Sequence, residues 1–456
     1  MMVFVVIAIL IVVMLLLRKR LVWAYRVFVR PWLSLVANYS VYYFRRFILF
    51  QSAEKARRNE YAGYANNQTD LRLRKSLPNI VVANSNRDKY TETFVRRHID
   101  GLRNNGFYVH QLYGGELPKA EVQSGLLLSN SSAWRAFYAW VEAFFDLPSR
   151  HFERRAFRNY LVRNNIKLVV AEFGTCGAQI FDLCEEVKVP LVVIFHGYDA
   201  HHARFVTENI EHYKRLFRFA AQILCVSEDI RSTLSRMGCP AEKLVHLPCG
   251  FDAERFAYSD HSTNPAIFLA VGRFAETKAP HITILAFYEV LQSIPDAKLV
   301  MIGKDGGGEL FEACHILVRS LGIEKTVLFR GVLSPDEVLE EMRDARVFVQ
   351  HSVTTPIHHD REGTPVSIME AMSCGLPIVA TRHAGIAELI EHGYSGILVE
   401  EYDYKTMASE MLRICQSDKL VFTFGKQASE RINNHTLVMN SNQLLAEIVE
   451  KYRNKE

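Results

Sequence analysis

VFVQHSVTTPIHHDREGTPVSIMEAMSCGLPIVA, residues 347–380, is the stretch whose reading decides the fold. Val347 to Gln350 is a short apolar run suited to a buried strand. A polar loop with His358, His359 and Asp360 follows, then a helical segment through Glu362 and Glu370, and Ile378 to Ala380 starts the next strand. Strand, loop, helix and strand in that order make one βα unit of a parallel sheet.

The same alternation extends outward on both sides. Toward the C-terminal half, strands are expected near Ile267 to Val271, Leu299 to Ile302, Val327 to Phe329 and Ile397 to Val399. Toward the N-terminus they are expected at Ile80 to Ala83, Tyr108 to Leu112, Leu168 to Glu172, Leu191 to Phe195, Ile223 to Val226 and Leu244 to Leu247, with helices such as Thr93 to Asn104 between them. The expected fold is α/β: two Rossmann-like, doubly wound domains facing a cleft, at 78–254 and 266–420. A polar linker at 255–265 joins them, and C-terminal helices at 421–456 pack back on the first domain.

Composition agrees with this size. The chain has 456 residues, 49% apolar and 23% charged, enough for two cores and an appendage. Residues 18–75 hold 13 Lys/Arg against 3 Asp/Glu, and the rest holds 41 against 47, so the positive charge belongs to the N-terminal segment. No basic folded face is left to neutralise a phosphate backbone, which argues against a nucleic-acid partner. The eight cysteines are scattered and none forms a CxxC pair, a pattern of reduced core residues rather than a zinc site or a disulfide framework.

Residues 1–17 carry no charge and would span about 26 Å as a helix, the low end of a membrane crossing. Arg18, Lys19 and Arg20 follow the apolar run, the reverse of a cleavable signal, so a single-pass anchor is expected with everything after it in the cytoplasm. Residues 18–77 form a basic, aromatic membrane-proximal segment and linker, placing the chain at the inner, cytoplasmic membrane.

Ligands of open parallel sheets bind beyond the carboxyl ends of strands, so the residues that follow strands carry the functional reading. Gly272-Arg273 ends one strand, and Lys278 lies just before Pro280, where a helix begins. A guanidinium, an ammonium and a helix N-terminus at one strand end suit a diphosphate. Gly303, Gly306, Gly307 and Gly308 follow the next strand and let backbone approach a ligand. Glu362 and Glu370, eight residues apart, would lie roughly 12 Å apart along a helix. That separation suits the sugar and ribose ends of a nucleotide-sugar, since carboxylates accept hydrogen bonds from hydroxyls.

Taken together, Gly272-Arg273 with Lys278, Glu362-Gly363-x-Pro365 with Glu370-Ala371-Met372, Cys374-Gly375-Leu376-Pro377 and Gly385-x-x-Glu388 resemble the donor half of glycosyltransferase family 4, a GT-B fold. Gln350-x-Ser352-Val353-Thr354, Thr381-Arg382-His383-x-Gly385-Ile386 and Thr91-Glu92-Thr93-Phe94 are similar to its colanic-acid and exopolysaccharide branch. His196-Gly197-Tyr198-Asp199 is similar to the family's His-Gly-x-Asp element. Ala279 stands where the family usually has Gly, and the Gly-Gly of many members' first loop is absent.

The resemblance implies catalytic roles for Glu362, His196, Arg273 and Lys278. It implies donor binding by Arg273, Lys278, Gly303, Gly363, Thr364, Pro365 and Glu370, and places Asp199, Glu92 and Ser85 on the acceptor or sugar side. The implied reaction is retaining transfer of a hexose from a nucleotide-sugar, UDP-sugar favoured, to a lipid-linked saccharide or other glycan in cell-surface polysaccharide synthesis. No cofactor and no metal are expected, the sequence having no Asp-x-Asp motif. The competing readings are a phospholipid glycosyltransferase, a nucleotide-sugar epimerase and an inactive assembly subunit of a polysaccharide complex.

Overall fold

β-Branched and aliphatic runs with no polar interruption form strands buried on both faces, and this chain folds around two sheets of such strands. The computed structural model describes residues 77–85, 93–122, 125–127, 132–148, 150–304, 308–434 and 440–453. The anchor expected at 1–17, the membrane-proximal segment up to residue 76, and Glu92, Gly306 and Gly307 lie outside the described residues. Among the described residues no helix is long and apolar enough to cross a membrane.

The first sheet has eight strands: β1 (Asn79–Ala83), β2 (Tyr108–Tyr113), β3 (Ala120–Glu121), β4 (Gly125–Leu126), β5 (Leu168–Glu172), β6 (Leu191–Phe195), β7 (Gln222–Cys225) and β8 (Leu244–His246). Their order is β4-β3-β2-β1-β5-β6-β7-β8, parallel except for the small antiparallel edge of β3 and β4, which the sequence reading did not anticipate. The second sheet is wholly parallel. It holds β9 (Ile267–Val271), β10 (Lys298–Ile302), β11 (Val327–Gly331), β12 (Val347–Gln350), β13 (Ile378–Thr381) and β14 (Ile397–Val399), in the order β11-β10-β9-β12-β13-β14.

The strand order reverses direction at β1/β5 in the first sheet and at β9/β12 in the second. Loops leaving neighbouring strands diverge at such points and open a crevice at the carboxyl ends. The residues quoted above for the site follow β6, β9, β10 and β12, so the topology gathers them at the facing sheet ends.

Two segments add to the expectation or depart from it. The polar linker is anchored on the second domain, a detail that the sequence reading did not address: buried His261 lies 3.0 Å from the carbonyls of both Ala345 and Cys374, and Ser259 N–H donates to Cys374 O at 2.9 Å. The C-terminal helices divide between the two sheets. Asp418–Asn433 stays on the second domain, where Gly425 packs so closely on Gly375 that a Cβ would sit 2.0 Å from its carbonyl oxygen. Only Ser441–Arg453 returns to the first domain, packing on Thr93–Asn104 and sending Tyr452 Oη to Gln222 Oε1 at 2.8 Å.

Candidate active site at the facing sheet ends

At the end of β9, Gly272 and Arg273 run beside the loop after β10. Gly303 has φ +154°, and a Cβ there would lie 1.8 Å from the Gly272 carbonyl oxygen, so only glycine lets these two strand ends touch. Arg273 is exposed and forms no salt bridge among the described residues, leaving its guanidinium available to an anion. The chain then makes a short turn, Glu276–Lys278, and enters the helix Pro280–Leu291 through Ala279 at φ +36°, ψ 52°. This is the left-handed region where glycine is the favoured residue.

Lys278 reaches across to Glu362, Nζ to Oε2 3.1 Å. Burial alone would raise the Glu362 pKa, but the Lys278 charge and hydrogen bond, with a hydrogen bond from Thr277, hold the carboxyl below its ordinary value. The Glu362 backbone is fixed as well: its N–H donates to His383 Nε2 at 3.1 Å, and His383 Nδ1 lies 2.5 Å from Glu401 Oε1. Because Nε2 must accept, the ring is the neutral Nδ1–H tautomer, and burial lowers its pKa in keeping with this. His383 and Glu401 are thus supporting residues to which the sequence reading assigned no role. The signals were the position of His383 just past β13 and its place in the quoted Thr381-Arg382-His383-x-Gly385-Ile386 string.

Glu362 does not sit on the helix with Glu370. The helix is Val366–Cys374 with Pro365 at its N-cap, so the separation derived from helical rise does not apply to the pair. Glu370 is the member that the helix carries. Its burial pushes the carboxyl up to about 7 even though Arg97 of the first domain approaches it at 3.7 Å and pulls it down. Arg97 also donates to the Gly250 carbonyl of its own domain, and its contact with Glu370 bridges the two domains. Asp360 is likewise pushed up, to about 6, by burial and by the Glu362 charge.

Gly363 and Thr364 hold the two domains together. A Cβ on Gly363 would fall 2.1 Å from the His196 carbonyl oxygen, and the Thr364 hydroxyl donates to Val226 O at 2.5 Å. Arg361 pairs with Asp229 at 2.9 Å, His201 with the same carboxylate at 3.1 Å, and His202 stacks on His358 with ring centres 4.5 Å apart. Glu388, of the quoted Gly-x-x-Glu string, accepts from the N–H groups of Glu228 and Asp229 at 3.0 and 3.1 Å. It thereby caps, from the second domain, the N-terminus of a first-domain helix, Glu228–Arg236.

On the first domain, His196 follows β6 and is nearly buried. Its Nε2 lies 2.8 Å from Glu172 Oε2 and its ring stacks on Phe94 at 4.4 Å. Asp199 has no exposed surface; its carboxylate accepts from the N–H groups of Gly174, His196 and Gly197 at 2.7, 3.0 and 2.9 Å. A carboxylate so enclosed orients the His196 loop. Direct contact with an acceptor, the other role considered for it, does not fit this geometry. Ser85 follows β1, its carbonyl accepting from Gly115 N–H at 2.9 Å while its buried hydroxyl has no partner among the described residues.

The chain matches two consecutive glycosyltransferase models: Glycosyltransferase Family 4 over residues 91–255 and Glycosyl transferases group 1 over residues 252–431. It is 31% identical to the amylovoran biosynthesis glycosyltransferase AmsK of Erwinia amylovora over 289 residues, covering 62% of this chain and 70% of that protein. It is also 31% identical to WcaL of Escherichia coli K12, assigned to colanic acid biosynthesis, over 55% of this chain and 61% of WcaL. Among solved structures, that of Anabaena HepE in complex with UDP and glucose superposes with a TM-score of 0.64 at 20% identity, over 82% of this chain and 100% of HepE. The two facing parallel sheets are those of a GT-B protein, and the chain belongs to glycosyltransferase family 4, with its similarity running to the exopolysaccharide branch.

Proposed function

We propose that the protein is a retaining hexosyltransferase that moves a sugar from a nucleotide-sugar, UDP-sugar favoured, to a lipid-linked saccharide in cell-surface polysaccharide synthesis. The observation that carries this reading is the convergence of Arg273, Lys278 and the N-terminus of helix Pro280–Leu291 on the cleft side of β9, with Glu362 paired to Lys278 beside them. Arg273, Lys278 and the helix terminus stabilise the departing diphosphate as charge develops on it, with no metal or other cofactor invoked. Glu362 and the backbone after it hold the sugar hydroxyls, Glu370 accepts from the ribose, and His196 closes the sugar site from the opposite domain. Attack from the same face as the departing phosphate preserves the anomeric configuration without a protein nucleophile.

The names of AmsK and WcaL support a polysaccharide product, and HepE, solved with UDP and glucose, supports a UDP-sugar donor. The apolar run at 1–17 supports a single-pass anchor in the cytoplasmic membrane, with both domains on the cytoplasmic side, where a lipid-linked acceptor shares the surface. The test is a panel of nucleotide-sugars supplied to membranes bearing the full chain, scored for label in lipid-extractable product. Transfer from one donor, with the anomeric configuration retained, is the expected result. Conversion of the donor without acceptor would replace the reading with an epimerase, and no turnover of any donor would point to an assembly subunit.

A further inference from the structure

Glu172 ends β5 with no exposed surface, and each of its oxygens faces an imidazole. Oε1 lies 2.8 Å from His98 Nδ1 and Oε2 lies 2.8 Å from His196 Nε2. Both rings are themselves buried, with 2% and 6% of their side chains exposed. An ionised carboxylate in such a place is costly unless a positive charge accompanies it, and the two histidines are its ion-pair partners. His196 is the ring built to hold that charge. It lies stacked on the face of Phe94 with ring centres 4.4 Å apart, and the tilted ring of Phe173 lies beside it at 4.8 Å. Its remaining nitrogen, Nδ1, is buried and has no oxygen or nitrogen partner among the described residues; the Cys249 thiol is the group that interacts with the ring there.

We propose that Glu172 is a positioning residue for sugar transfer: it holds the His196 ring through Nε2 as a fixed imidazolium beside the donor sugar, while His98 locks the carboxylate from its other side. This rests on the reading above that His196 faces the sugar. It gives His196 the role of a fixed cation, not of a base that takes a proton from the acceptor.

The charges of the cluster agree. Burial alone would lower the His196 pKa, but the hydrogen bonds to Cys249 and Glu172 and the Glu172 charge raise it to about 10. Burial alone would raise Glu172, but the His98 charge and the hydrogen bonds from both rings take it down to about 2. The other groups in the field are Cys176, whose thiol Glu172 helps to push up, and Asp199, which accepts from the His196 N–H.

The experiment uses the full chain in nanodiscs with 15N-labelled histidine, the His196 signal being identified by its loss in H196Q. Wild-type His196 is expected to stay doubly protonated at pH 8, and in E172Q to titrate near its ordinary value. With the preferred UDP-sugar, E172Q is expected to lose at least about tenfold in kcat with donor KM within about twofold, and to recover part of that loss as pH falls toward 6. A merely structural role would not produce this pH-dependent recovery. The proposal is overturned if wild-type His196 is neutral at pH 8, if E172Q turns over like wild type, or if E172Q loses UDP binding together with turnover. If E172Q does not fold, the wild-type spectrum alone decides whether the ring is held as a cation. A wild-type chain that transfers no sugar while its ring stays protonated would overturn the functional reading, and the transfer role with it, a failure distinct from a neutral ring.

Discussion

The Lys278 ammonium lies 3.1 Å from the Glu362 carboxylate, joining the loop after β9 to the loop before helix Val366–Cys374. The two side chains are 15% and 14% exposed, so each charge depends on the other for compensation. Replacing Lys278 with Ala leaves Glu362 buried without its cation and, in the proposed reaction, removes a charge from the leaving phosphate. The expected loss is on the order of 10²–10³ in kcat at saturating donor. K278R, which keeps the charge but changes its geometry, should fall between Ala and wild type; equal turnover in K278A and wild type would refute the role.

Arg273 and Glu370 should separate kinetically. In the proposed reaction Arg273 meets charge that grows in the transition state, so R273A should lower kcat more than it raises donor KM. In the same proposal Glu370 serves the ribose in both ground and transition states, so E370A should raise donor KM and leave kcat closer to wild type. Steady-state kinetics on both variants checks the contrast, and the reverse pattern would exchange the two assignments.

Nucleotide affinity should depend on pH through Glu370. Its carboxyl is raised by burial to about 7, so the ionised acceptor is lost as pH falls through that value. UDP affinity should therefore strengthen from pH 6 to pH 8, by up to about tenfold per unit below the pKa. Calorimetric titration of wild type and E370Q provides the test: the variant, which has no group to titrate there, should show a flatter profile.

Ala279 occupies the left-handed region at φ +36° just before the Pro280 helix. Relief of that strain in A279G outweighs the added freedom of the unfolded chain, and the variant should be more stable by about 0.5–1 kcal/mol. Denaturant unfolding measures the difference, and a destabilised A279G would show that the Ala methyl, which is buried, contributes more by packing than the backbone loses.

Much of the fold was legible because parallel strands buried on both faces are continuous apolar runs. Leu191–Phe195 and Val347–Gln350 look like strands to any reader of the chain. Glu370 stood out because Ile368, Met369, Ala371 and Met372 leave a lone carboxylate in an apolar helix. Glu362 was misread onto that helix because acidic residues favour first turns, whereas Pro365 moves the start of the helix beyond it. The antiparallel edge of β3 and β4 escaped notice because strands of two residues have no measurable alternation.

The sequence by itself determined two parallel sheets and the set of cations and carboxylates that follow their strands, because strand-forming runs and strand-end residues are local properties. Only the tertiary structure decided what those residues face. Lys278 meets Glu362, His383 fixes the Glu362 backbone, Arg97 approaches Glu370, and Glu172 holds His196 beside two aromatic rings. The physical reason is that charge, tautomer and orientation depend on partners brought together across the cleft and within each sheet end, and no local pattern in a chain records those partners.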